Sequence, residues 1–76
     1  MDHLDRDQTL LQLKQAEQQG TIYEAANDLK GLEELQQTVL QLRKPYLDDA
    51  EIRPVSITLL INLMAKTARV RDRQGI

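Results

Sequence analysis

Cysteine, phenylalanine and tryptophan are all absent from this 76-residue chain. Without cysteine there are no disulfides and no thiolate metal ligands, which excludes a secreted miniature scaffold stapled by bridges and favours an intracellular protein. Tyr23 and Tyr46 are the only aromatic side chains, so the core must be aliphatic. A sheet built on aromatic and β-branched residues is poorly served, whereas leucine and alanine with glutamine, glutamate and lysine favour helix. Histidine occurs once, as His3, and serine once, as Ser56, so no Ser-His or Cys-His pair can be assembled for nucleophilic catalysis. The glycines Gly20, Gly31 and Gly75 stand apart and form no phosphate-cradling loop. No apolar run approaches the ~20 residues that span a bilayer, and Asp2, Asp5, Arg6 and Asp7 are unlike the basic-then-apolar opening of a signal peptide. These absences predict a soluble protein that is not an enzyme, holds no cofactor and takes no small-molecule substrate.

What is present is an apolar stripe. Leu32, Leu35, Val39 and Leu42, preceded by Ala25 and Leu29, recur at three- and four-residue steps, the spacing of one helix face. The first helix is expected over about residues 5–19, with Leu10, Leu11, Leu13 and Ala16 as its apolar positions and Gly20 as its left-handed stop. Thr21 followed by Glu24 fits a capping box and predicts a second helix over 21–44, ended by Pro45. Gly31 weakens the middle of that helix by ~1 kcal/mol relative to alanine, and a break into two shorter helices there is the alternative. Residues 45–53 form the hinge. Pro54 suits a first helical turn, and the run from Val55 to Val70 predicts a third helix over 54–72. Its β-branched stretch Ile57 to Ile61 would suit a strand, but a lone strand has no partner. Because it is apolar around most of its circumference, this helix should be central, touching two neighbours or a second subunit. The expectation is an all-α single domain over 1–76: a bundle of three main helices that dimerisation can complete, frayed near 1–4 and 73–76.

Net charge is only −2, but residues 1–34 hold eight acids and three bases while residues 35–76 hold four acids and seven bases. A dipolar chain of this kind can pack its own ends together or associate head to tail, which points to protein partners. Carboxylate neighbours Asp48/Asp49 and Glu33/Glu34 point apart on a helix and read as solvated surface. His3 among Asp2, Asp5 and Asp7 reads as an acidic helix start rather than a metal site. At the end of the third helix Lys66, Arg69 and Arg73 share a face, with Arg71 beside them. Cations there complement the helix dipole; as contacts they would suit an acidic partner, the chain's own acidic half, or phosphates.

The segment from Gln18 to Leu29, QQGTIYEAANDL, resembles the opening helix of helix-turn-helix DNA binders, in which alanine packs beneath the turn. That resemblance implies a recognition helix immediately afterwards. Here that helix would begin Gly31-Leu32-Glu33-Glu34, with carboxylates where phosphates would lie.

Near 76 residues a single core supplies only ~3–5 kcal/mol, so a partner or a second copy commonly adds the rest. The favoured function is therefore a non-enzymatic protein-interaction or oligomerisation module, a homodimer, with Leu32, Leu35, Val39, Leu42, Leu60 and Met64 as its interface. The alternatives are a small nucleic-acid-binding regulator using Lys66, Arg69, Arg71 and Arg73, and an excised helical domain of a larger protein, since Gln74-Gly75-Ile76 carries no stop signal.

Overall fold

A computed structural model describes residues 3–75 as three helices joined by two tight corners, with no strand among the described residues. Helix α1 spans His3–Ala25, α2 spans Leu29–Arg43 and α3 spans Ile52–Gln74; a short 3-10 turn, Lys44–Tyr46, opens the second corner. The expected three-helix bundle is therefore present, about 45 Å long and 18 by 14 Å across. Cross-links fix the topology as up-down-up. Arg6 meets Asp49 and Glu24 meets Arg69, so α1 and α3 run parallel, while Arg43 meets Ser56 and Gln36 meets Thr67, so α2 runs against α3.

The first corner lies seven residues beyond Gly20. Helix α1 continues through Gly20 to Ala25, and the chain turns at Asn27, whose φ of 54° places it in the left-handed region that asparagine tolerates better than most residues. The Asp28 N–H returns to the Tyr23 carbonyl at 2.9 Å and the Asn27 N–H to that of Glu24 at 3.0 Å, the paired bonds of a Schellman ending. Asp28 then starts α2 by accepting the Gly31 N–H at 2.9 Å. The Thr21 hydroxyl instead bonds the Glu17 carbonyl within α1, so the expected capping box does not form. Gly31 sits in the first turn of α2 and does not break it.

Gly20 has a packing role. A Cβ built there would stand 2.6 Å from Leu63 Cδ2, and glycine lets α1 and α3 approach closely. At the second corner the Asp49 carboxylate accepts the N–H groups of Glu51 and Ile52, both at 2.9 Å, and α3 begins two residues earlier than expected, with Pro54 inside its first turn. Helix α3 runs to Gln74, two residues beyond the expected end, and closes on Gly75 with φ 73°.

The core is aliphatic. Leu13, Leu32, Val39, Ile52, Leu63 and Val70 are buried, with Ala16 and Leu59 close behind. Each fully buried side chain of this size contributes about 1.5–3 kcal/mol relative to exposure. The stripe on α2 thus packs inside its own chain, Leu32 and Val39 at 0% exposure and Leu35 and Leu42 half-buried at the edge. Ala25 belongs to α1 and is exposed. Buried hydroxyls find partners: Ser56 Oγ accepts from Arg43 Nε at 2.9 Å and donates to the Arg53 carbonyl, and Thr67 Oγ1 accepts from Gln36 Nε2 at 2.7 Å and donates to the Leu63 carbonyl. No buried side-chain nitrogen or oxygen among the described residues lacks a partner.

Candidate interaction surface

Helix α3 presents two faces of different origin. One carries Ile52, Ser56, Leu59, Leu63, Thr67 and Val70 into the bundle. The other, facing away from α1 and α2, carries Ile57, Ile61, Met64 and Ala68 at steps of four, three and four residues. Ile57 is 38% exposed, Ile61 61% and Met64 58%, so the largest apolar groups of this stripe stand in solvent. Residues 54–65 include no charged side chain. As expected, α3 touches two neighbours, α1 and α2, while its outer face stays uncovered.

On the α1 side, an open groove of about 710 Å³ runs beside this face, lined by Leu10, Leu11, Pro54, Val55 and Leu59 together with the charged Lys14, Glu17 and Glu51. Leu11 and Val55 are 51% and 43% exposed. Apolar surface therefore continues from α1 across the start of α3.

The six residues expected to form an interface are divided by the fold. Leu32 and Val39 lie wholly inside the bundle, Leu35, Leu42 and Leu60 are half-buried against the core, and Met64 faces solvent. Ile57 and Ile61 join Met64 on the outer face and were not singled out from the sequence. The signal that could have found them was the second stripe hidden in the run Val55 to Val70, offset from the one that continues Ile52, Ser56 and Leu59.

The four bases at the end of α3 meet acids of the same chain. Glu24 accepts from Arg69 Nε at 2.6 Å, from Lys66 Nζ at 3.3 Å and from Arg73 Nη2 at 3.4 Å, and Glu33 accepts from Arg71 Nη2 at 3.0 Å. Arg73 and Gln74 also bond the side chain and backbone carbonyl of Asn27, at 3.1 and 2.8 Å, fastening the end of α3 over the first corner. The Arg69 hydrogen bonds, with those of Lys66, outweigh partial burial and hold the Glu24 carboxyl at about 2, below its ordinary 4.5. At the opposite end Arg6 forks onto Asp49 at 2.8 and 3.0 Å and reaches Glu51 at 2.9 Å. Asp49 is held far below the usual carboxylate range, first by Arg6 and then by the two N–H groups it caps. Glu24 and Glu33 of the acidic half thus meet bases of the basic half, while Arg6 pairs with Asp49 and Glu51 with the signs reversed.

No group of three or more histidine, cysteine or acidic side chains is placed to hold a metal among the described residues. Asp2 and the His3 side chain lie outside them. No helix among the described residues is long and apolar enough to cross a membrane. Compared with protein-family models, curated proteins and solved structures, the chain has no match.

Proposed function

We propose that this protein is a non-enzymatic interaction module whose partner-binding surface is the outer face of α3. The observation that carries the reading is the exposure of Ile57, Ile61 and Met64 within a twelve-residue stretch free of charge, on a helix whose other face already completes the core. Single exposed leucines are ordinary on a small protein, but an aligned aliphatic stripe without charges marks a surface kept for contact. The groove beside Leu11 and Val55 widens that surface toward α1. Binding through Lys66, Arg69, Arg71 and Arg73 to nucleic acid has no comparable support, because each already has its counter-charge within the chain.

The test is site-specific photo-crosslinking of the full chain in the cells that naturally express it, with a benzophenone amino acid at Ile61 and, as control, at Gln37 on the solvent side of α2. Adducts to protein at position 61 but not at position 37 are expected. Equal labelling at the two positions, or none at 61, would overturn the reading.

A further inference from the structure

Resting on the reading of the outer face of α3 as a contact surface, we infer that the protein partner presents carboxylates, which dock on three bases at the second corner, Arg43, Lys44 and Arg53. None of the three takes part in an ion pair among the described residues. That sets them apart from Lys66, Arg69, Arg71 and Arg73 at the other end of the bundle, which all meet acids of the chain.

The fold brings these bases together. Arg43, half-buried at the end of α2, donates its Nε–H to Ser56 Oγ at 2.9 Å, and Ser56 Oγ donates to the Arg53 carbonyl at 3.0 Å. Two hydrogen bonds thus link the Arg43 guanidinium to the Arg53 backbone. Lys44 follows Arg43 and is exposed, as is Arg53. The Arg53 side chain leaves α3 on the flank that turns toward α2, because it precedes Arg71 by eighteen residues, about five whole turns, and Arg71 reaches Glu33 of α2 at 3.0 Å. Arg71 finds an acid beside it. Arg53 finds only the end of α2, whose charged residues are Arg43 and Lys44.

The acids of the corner leave this patch positive. Asp49 and Glu51 are engaged by Arg6 of α1, and Asp48 is exposed and forms no ion pair among the described residues. The dipole of α2 favours Arg43 and Lys44 at its C-terminal end, but Arg53 stands in the first turn of α3, where a base opposes the dipole. Its charge is unfavourable to the fold alone, and an external anion would offset it.

The neighbours of the patch favour carboxylates on a protein. Leu40 of α2 and Ile57 of α3, both exposed, stand beside the bases, and Ile57 begins the apolar stripe of the outer face. Charge bordering an aliphatic surface is the anatomy of a protein contact with a polar rim. Guanidinium groups hold carboxylates through paired N–H bonds, and Arg43, with Nε taken by Ser56, still offers both terminal nitrogens. A nucleic-acid backbone continuing along α3 would set its phosphates over Ile57 and Ile61 instead.

The test is an NMR titration of the isotope-labelled full chain with a short amphipathic peptide of leucine and glutamate, and with its counterpart of leucine and glutamine. The glutamate peptide should shift the signals of Leu40, Arg43, Lys44, Arg53 and Ile57 and bind about tenfold more tightly than the glutamine peptide. Lys44→Glu combined with Arg53→Glu should weaken it about tenfold, whereas Lys14→Glu combined with Lys30→Glu, an equal change in net charge at exposed positions elsewhere, should not. Circular dichroism checks that both variants fold. Equal binding of the two peptides, shifts centred on Lys66 and Arg69, or wild-type binding by the Lys44 and Arg53 variant would overturn the inference. Tighter binding of a single-stranded oligonucleotide to the same residues would overturn it too, in favour of phosphates. The crosslink at Ile61 is read separately, so adducts there beside any of these failures would leave the outer face standing as a contact surface.

Discussion

The Glu24 carboxylate takes the Arg69 Nε–H at 2.6 Å across 45 residues of sequence. It joins the last turn of α1 to α3 at a point where Lys66 and Arg73 also converge, and only 16% of the Glu24 side chain stays exposed. One acid thus gathers three bases, and the corner between α1 and α2 is held against the end of α3.

That arrangement makes stability depend on acid pH with a definite sign. The folded Glu24 carboxyl titrates near 2 and the unfolded one near 4.5. The stabilisation is therefore fully present above the unfolded value and is lost as pH falls from about 4.5 through about 2. Glu24→Gln keeps the shape and removes the charge. Thermal melts followed by circular dichroism should show the variant less stable than wild type at pH 7, with the difference shrinking toward pH 2. A constant difference across that range would mean that the Glu24 charge contributes nothing to the fold.

The opposite end of the bundle separates pairing from capping. Asp49 binds Arg6 and also accepts the Glu51 and Ile52 N–H groups that begin α3. Asparagine at this position can still accept those N–H bonds but cannot form the ion pair; alanine does neither. Melting temperatures should therefore fall in the order wild type, Asp49→Asn, Asp49→Ala, with Arg6→Ala close to Asp49→Asn. A double-mutant cycle of Arg6→Ala with Asp49→Asn should give less than the sum of the single effects. Additive losses would mean that the two groups do not act together.

The fold class was legible in the sequence because composition and the three-four stripe both demand helices, and the dipolar charge layout foreshadowed the pairing of Glu24 and Glu33 with bases of the other half, whereas the Arg6–Asp49 pair runs against that layout and Asp49 had read as solvated surface. Corners were harder. Gly20 has the composition of a stop, but it is spent on close approach to Leu63, and the real corner is written in Asn27-Asp28, where one residue accepts a left-handed turn and the next caps the following helix. Glu24 was assigned to a cap because its distant bases become neighbours only when α1 and α3 lie side by side. The outer face of α3 was masked for the same reason. Two apolar stripes on one helix cancel in any average over its circumference, and only the bundle reveals which one is spent on the core.

Gly20 offers a direct check on that close approach. Gly20→Leu introduces a side chain where a Cβ alone would stand 2.6 Å from Leu63 and 3.6 Å from Leu35. Overpacking of this kind costs about 1–3 kcal/mol, more than the ~1 kcal/mol that leaving glycine returns in helix propensity. Urea unfolding should show a clear net loss. If Gly20 were a left-handed helix stop at the surface, the same substitution would cost stability through backbone strain, and no change at Leu63 would recover it. Pairing Gly20→Leu with Leu63→Ala should recover part of the loss, since the smaller residue opens the space that the larger one needs.

Val39 and Ile61 contrast a residue inside the bundle with one on its outer face. Val39 has 0% exposure and Ile61 has 61%. Val39→Asp must bury a carboxylate with no partner, a cost of several kcal/mol that approaches the whole stability expected of a domain this size, so its helical circular dichroism should collapse at 25 °C. Ile61→Asp removes an apolar group that the bundle itself barely covers. Its unfolding free energy should stay within ~0.5 kcal/mol of wild type. The measurement is a urea titration of each variant beside wild type. A loss of several kcal/mol from Ile61→Asp would mean that Ile61 belongs to the core rather than to the outer face.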